Sequence, residues 1–152
     1  MINKIFPAEW ASQQFVQLTW PHADTDWAYM LDEVQACFKN IAREVAKRQQ
    51  LLIVAPDVED VRRQIADEVN MANVRLVELP SNDTWARDHG GITIFENGKP
   101  IVLDFQFNGW GLKFASDKDN LITERLHRAG YLFGELRNCR NFVFEGGSIE
   151  SD

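Results

Sequence analysis

Between Pro80 and Gly91 the chain reads Pro-Ser-Asn-Asp-Thr-Trp-Ala-Arg-Asp-His-Gly-Gly, the densest run of chemically capable side chains in the sequence. It directly follows an apolar run, Val74 to Leu79, so its residues sit at the C-terminal end of a predicted strand, where loops on rigid scaffolds commonly build sites. The run is also too polar to expect in a core. Two other segments have matching chemistry. Glu145-Gly146-Gly147 sets a carboxylate beside residues that permit close backbone approach, and Asn108-Gly109-Trp110-Gly111 offers an aromatic face between flexible residues. Carboxylates with an indole suit a planar cation: a guanidinium presents its N–H donors in a fixed fork that matches carboxylates, and its flat face stacks on an aromatic ring. Each residue also has a plainer reading. Asn82 and Asp83 can make turn bonds, Trp110 can pack beneath a loop, and Glu145 can stabilise a turn.

Other chemistries have less support. His22 and Asp24 form a His-x-Asp, and Asp88 and His89 are adjacent, but the chain has only three histidines and its two cysteines form no ligand pair, so no metal site is expected. There is no phosphate-binding Gly-rich loop and no nucleophile elbow. Cys37 is placed mid-helix in an apolar stripe, as a small hydrophobe. Neither it nor Cys139 has the partner base or electropositive setting of a nucleophile.

The elements that must position these residues follow from hydrophobic periodicity. Phe15 to Thr19 reads as a strand. Leu31, Val34, Phe38, Ile41 and Val45 then recur at helical spacing from Trp27 to about Lys47, with Asp26 as N-cap. Leu51 to Val54 is a second strand. A helix opening at Pro56 and Asp57 carries Val61, Ile65 and Val69, and Val74 to Leu79 is a third strand. Ile92 to Phe95 and Ile101 to Phe105 flank Asn97-Gly98, a strong hairpin signal. Gln106 to Lys118 is expected to be an irregular loop, Asp119 or Asn120 to Ala129 a helix stopped by Gly130, and Asn141 to Phe144 a last strand. Asp88-His89-Gly90-Gly91-Ile92 and Glu145-Gly146-Gly147-Ser148-Ile149 repeat an acid before a glycine pair, the mark of a repeated strand-rich unit.

The 152 residues suffice for one domain with a sizeable core, and 45% hydrophobic and 11% aromatic residues argue for a packed globular protein. With 16 Lys and Arg against 23 Asp and Glu, the net charge is −7 and the basic residues are scattered. Nucleic acid is therefore not an expected partner, whereas a small cation is compatible with this balance. No stretch has the length of a membrane span, and Met1 to Pro7 lacks the apolar core of a signal peptide; no membrane partner and a cytoplasmic location are the expectations.

Several blocks together resemble one family. They are Pro7-Ala8-Glu9-Trp10, Trp20-Pro21-His22, Asp26-Trp27, Asn82 to Gly90, Asp104-Phe105, Phe107-Asn108-Gly109-Trp110-Gly111 and Glu145 to Ile149. In this order they resemble the agmatine deiminase and bacterial peptidylarginine deiminase family, from near residue 7 to residue 152. The resemblance implies an α/β fold of the pentein type, an α/β propeller of five ββαβ modules. Residues 1–152 would supply the N-terminal part of that single domain, an incomplete ring of fewer than three modules with open sheet edges.

The resemblance further implies hydrolysis of a guanidinium to a ureido group through a cysteine thiouronium intermediate, with no cofactor. The partner would be a small cationic guanidine, and a homo-oligomer is left open. Residue by residue, Asp88 matches the guanidinium-binding Asp of a Trp-x-Arg-Asp motif, Trp85 the Trp lining that pocket, and Glu145 the Glu that steadies the catalytic His. Asn108 and Trp110 fall in a block near the pocket. Arg87 is expected to brace the loop by pairing with an acid, since it would repel a cationic substrate. No residue here matches the family's nucleophilic Cys or its catalytic His-x-Asp, so the 152-residue chain alone is expected to be inactive. Agmatine is the expected substrate, giving N-carbamoylputrescine on the route to putrescine. Free or peptidyl arginine is the alternative within that chemistry, and a non-catalytic guanidinium-binding or assembly module the alternative outside it.

Overall fold

A computed structural model describes residues 3–151. The chain forms two compact units, residues 13–86 and residues 1–12 with 87–152.

The 13–86 unit is a parallel three-stranded sheet in the order β2-β3-β4, with β2 Phe15–Thr19, β3 Gln50–Ala55 and β4 Val74–Glu78. Helices α1 (Leu31–Ala46) and α2 (Val58–Ile65) make the two crossovers. Leu51, Ile53 and Ala55 pack with Ala42, Ala46, Val61, Ile65 and Trp20 in one apolar cluster. Leu52 and Val54, on the other face of β3, are buried as well. That is why the central strand reads as a continuous apolar run without alternation.

Two expectations change here. α1 begins only at Leu31, after a 3₁₀ turn over Ala28–Met30, and its N-cap is Met30 with no side-chain cap bond, so Asp26 does not cap it. Asp32 and Glu33 in the first turn complement the helix dipole instead. Cys37 is exposed, not part of an apolar stripe. The inward stripe of α1 runs through Phe38, Ala42, Val45 and Ala46, and Cys37 lies one position before Phe38, turned about 100° away.

α2 starts as its sequence suggests. The Asp57 carboxylate accepts a hydrogen bond from Asp60 N at 2.9 Å. The helix stops at Ile65, so Val69, expected on it, is buried from the segment that follows. Asp57→Ala should lower stability by about 1 kcal/mol, seen as a lower urea midpoint at unchanged slope; an unchanged midpoint would show that the cap contributes nothing.

The other unit holds a four-stranded sheet, β1-β5-β6-β7: β1 Lys4–Ile5, β5 Ile92–Glu96, β6 Lys99–Gln106 and β7 Glu135–Val143. β5 and β6 form the expected hairpin, with Asn97 at φ 51° and Gly98 at φ 78°, the paired left-handed residues of a type I′ turn. β6 and β7 are parallel. The connection between them runs through a 3₁₀ turn (Asp119–Leu121) and α5 (Ile122–Arg128), which buries Ile122 and Leu126 and ends before Gly130 at φ 81°.

β7 starts six residues earlier than the sequence suggests. Glu135-Leu136-Arg137-Asn138-Cys139-Arg140 has no apolar alternation to announce a strand. Ion pairs of its arginines support it: Arg137 with Glu96 at 3.1 Å and Arg140 with Asp104 at 2.8 Å. The register then slips between Phe105, which faces Cys139, and Gln106, which faces Val143, a bulge that no local sequence signal marks.

The expected irregular loop contains an ordered turn. Gly109, Trp110, Gly111 and Leu112 all have positive φ (61°, 56°, 80° and 65°), one turn of left-handed helix, α4 (Gly109–Leu112). Leu112 N donates to Asn108 O at 2.7 Å and Lys113 N to Gly109 O at 3.0 Å. Among the described residues no helix is long and apolar enough to cross a membrane.

Candidate guanidinium site

Asp88 lies in α3 (Ala86–His89), the short turn that leads into β5. Glu145 follows β7 and opens a 3₁₀ turn over Gly146–Ser148, closed by Ser148 N and Oγ donating to Glu145 O at 3.0 and 2.6 Å. The fold brings these two acid-Gly-Gly repeats into contact. Gly147 N donates to Asp88 Oδ1 at 3.2 Å. A Cβ on Gly146 would lie 2.1 Å from the Arg87 carbonyl oxygen, so the second loop rests directly on the backbone of the first.

Arg87 braces the arrangement, as its charge suggests. Its Nη2 donates to Ile149 O at 3.1 Å and pairs with Glu9 Oε1 at 3.3 Å. Both Arg87 and Glu9 are about half exposed, so the pair serves geometry more than stability. Glu9 is a partner that sequence reasoning did not find, because nothing local connects residues 9 and 87.

Next to Asp88, His89 is 4% exposed, its ring 6.4 Å from that of Phe107. Burial holds its pKa down to about 4. The folded state therefore prefers neutral imidazole, while the unfolded chain takes up a proton below about 6.5. The stability this represents is complete above pH 6.5 and is lost as pH falls toward 4, roughly 2 kcal/mol of it by pH 5. Urea midpoints measured from pH 7.5 to 5 should fall accordingly, and His89→Gln should flatten that slope; an equal slope in both proteins would refute the assignment.

Asn108 and Trp110 sit on the left-handed turn. Asn108 Oδ1 accepts from Gly111 N at 2.8 Å, which caps the turn. Trp110 stands edge-on to Phe107 and Phe114, at 5.0 and 5.7 Å. The Trp110 ring is thus packed between two phenylalanines. Phe107 itself is clamped by Asn120, whose amide accepts from Phe107 N and donates to Phe107 O, both at 2.8 Å.

Trp85 belongs to the 13–86 unit, 46% exposed and tilted against Trp27 at 6.2 Å. Its polar neighbours in sequence are more buried than expected: Ser81, Asp83 and Thr84 are all inside. Their mutual hydrogen bonds make that possible. Trp27 Nε1 donates to Thr84 Oγ1 at 3.0 Å, Asp83 Oδ1 accepts from Thr84 N at 2.7 Å, and Ser81 Oγ bonds His22 Nε2 at 3.1 Å. Burial pushes the Asp83 carboxyl above its usual range, with the Asp26 charge adding to the effect. The surplus of Ser, Thr and Asp around one Trp was the available signal for this buried network.

Among the described residues no cluster of three or more His, Cys, Asp or Glu could hold a metal ion. What the two loops present is the Asp88 carboxylate held by the Gly147 amide, with Glu145 at the start of the same second loop. The family profile described as "Porphyromonas-type peptidyl-arginine deiminase" matches residues 5–152, and the chain belongs to that family.

Individual relatives agree. The solved structure named "putative arginine deiminase" from Porphyromonas gingivalis is 52% identical, covers 99% of this chain and 44% of its own, and superimposes with a TM-score of 0.88. A substrate-bound Cys-to-Ser variant of C. jejuni agmatine deiminase is 36% identical over 97% of this chain and 43% of its own, also with a TM-score of 0.88. A curated "putative agmatine deiminase" of Shewanella baltica is 33% identical over 96% of this chain. The chain spans 40% of that relative's length. The relatives' chemistry is hydrolysis of a guanidino group, and their fold is the pentein α/β fold.

Proposed function

We propose that residues 1–152 form the guanidinium-holding N-terminal part of an agmatine deiminase, a portion of a propeller of ββαβ modules that acts in the cytoplasm in putrescine formation. What carries the reading is the Asp88 carboxylate, fixed by the Gly147 amide at 3.2 Å and set in the same loop pair as Glu145. Asp88 accepts N–H bonds from the guanidinium, Trp110 borders it, Asn108 holds the turn that carries Trp110, and Glu145 steadies the catalytic His of the complete protein.

In the reaction, a cysteine thiolate forms a C–S bond to the guanidinium carbon. A C–N bond then breaks, and the nitrogen leaves as ammonia after taking up a proton. Water next forms a C–O bond to the same carbon and gives up two protons, one replacing the proton taken by the leaving nitrogen and one leaving on ammonium, while the C–S bond breaks. This gives the ureido product, N-carbamoylputrescine, and returns the thiolate. Holding the planar cation between fixed acceptors orients its carbon toward the sulfur. Neither Cys37 on α1 nor Cys139 on β7 has that role, so the 152-residue polypeptide by itself does not turn over.

A colorimetric ureido assay of the complete reading frame that carries residues 1–152, run beside the 152-residue chain with agmatine and with arginine, tests this. Product from agmatine in the complete protein alone is the expected result. Product from arginine or arginyl peptides in its place would move the substrate within the family. Silence from a well-folded complete protein would leave a non-catalytic guanidinium-binding or assembly module.

A further inference from the structure

We propose that Gly147 is a positioning residue whose missing side chain and backbone N–H together select the orientation of the Asp88 carboxylate. The inference rests on the reading of Asp88 as a guanidinium acceptor and assigns a cause to its geometry.

The two glycines of the Glu145-Gly146-Gly147 loop are required for different reasons. At Gly146 a Cβ would meet backbone, the Arg87 carbonyl oxygen at 2.1 Å, with Ile92 Cδ1 at 3.2 Å. Any side chain there must push the two loops apart. At Gly147 the surroundings are empty except for Asp88: its Oδ1 would lie 2.5 Å from a Cβ and its Cγ 3.7 Å, and nothing else comes within 4 Å. The Gly147 φ is not in the left-handed region either, so its backbone conformation is open to any L residue.

Glycine is therefore needed at 147 neither by the turn nor by packing. What a methyl group would displace is one carboxylate oxygen at the end of a short side chain. The same residue supplies an N–H to that oxygen at 3.2 Å. An amide donor that holds Oδ1 on one side directs the other oxygen, Oδ2, toward the ligand. A carboxylate locked in one rotamer loses less freedom on binding the donor fork than one that swings. The acid-Gly-Gly repeat thus works across the two loops, the second repeat's glycine orienting the first repeat's acid.

Agmatine binding by titration calorimetry on the complete gene product, its nucleophilic cysteine replaced by serine so that agmatine is not consumed, tests the assignment with four substitutions. Gly147→Ala should weaken agmatine binding about 10- to 100-fold while the melting temperature stays within about 3 °C of the parent. Gly146→Ala should lower the melting temperature much more. Gly130→Ala, at φ 81° with open space around it, gives a destabilised control that binds normally. In an Asp88→Asn background, Gly147→Ala should have no further effect on affinity, because its influence passes through that carboxylate.

The outcomes separate cleanly. If Asp88→Asn weakens binding but Gly147→Ala does not, the positioning role is wrong and the site reading stands. If the effects of Gly147→Ala and Asp88→Asn simply add, Gly147 acts by another route and the inference fails. If Asp88→Asn leaves affinity unchanged, or the parent binds no agmatine at millimolar concentration, the site reading fails and this inference with it.

Discussion

Asp88→Asn is expected to weaken agmatine binding by on the order of a hundredfold or more, and to lower turnover of the complete protein at least as far. The substitution nearly preserves shape but removes the charge and replaces one acceptor oxygen by an N–H₂ group. A cation that offers only donors then meets a donor where it had an acceptor. Removing one partner of a charge-assisted pair costs about 2–5 kcal/mol, and each 1.4 kcal/mol is tenfold in affinity. Stability should change little, because Asp88 is only half-buried and an amide oxygen can still accept from Gly147 N. Calorimetric titration with agmatine, beside a urea melt, separates the two quantities. An affinity within twofold of the parent would remove Asp88 from the site.

The largest stability effect is expected at Arg140. Asp104 is 3% exposed, and its Oδ2 lies 2.8 Å from Arg140 Nη2. The same guanidinium donates to Asn120 O at 2.6 Å and reaches Glu124 Oε2 at 3.4 Å. It therefore ties β6, β7 and the start of α5 to one another. Burial pushes the Asp104 carboxyl above its usual range, and the Arg140 charge offsets part of that rise.

Arg140→Ala leaves an uncompensated buried carboxylate, at a cost of about 3–5 kcal/mol at neutral pH. The sign of the pH dependence follows from the same shift. An acid whose folded pKa is raised is least costly when protonated, so the defect should be small near pH 4. It should grow as pH rises through the elevated folded value. Urea melts of the variant at pH 4.5 and 7.5 read this directly. Asp104→Leu with Arg140→Met should recover most of the loss, since paired removal leaves no buried charge. A defect that is equal at both pH values would mean that lost packing, and not the stranded carboxylate, is responsible.

The sequence was informative where a signal is local. β2 has the predicted limits, Phe15–Thr19, because an apolar run with β-branched residues needs no long-range partner to declare itself. The Asn97-Gly98 turn and the Asp57 cap were readable for the same reason: left-handed residues and a side-chain acceptor near a helix start are properties of a few consecutive residues. The acid-Gly-Gly repeat made Asp88 and Glu145 candidates, and seven short blocks between Pro7 and Ile149, taken in order, carried the family resemblance.

Whatever depends on partners far apart in the chain was decided by the tertiary structure. The early start of β7 rests on arginines whose partners lie on β5 and β6, so its polar residues could not announce a strand. The 3₁₀ turn before α1 displaced the cap expected at Asp26, and the helix's rotation, set by what packs beneath it, left Cys37 outside. Burial of Ser81, Asp83 and Thr84 depended on hydrogen bonds from His22 and Trp27 that bridge some 60 residues of chain. The presence of the two acids and the glycine pairs is written in the residue types. The orientation of Asp88 is not, because the amide that fixes it belongs to a loop 59 residues away and reaches it only when β5, β6 and β7 have paired.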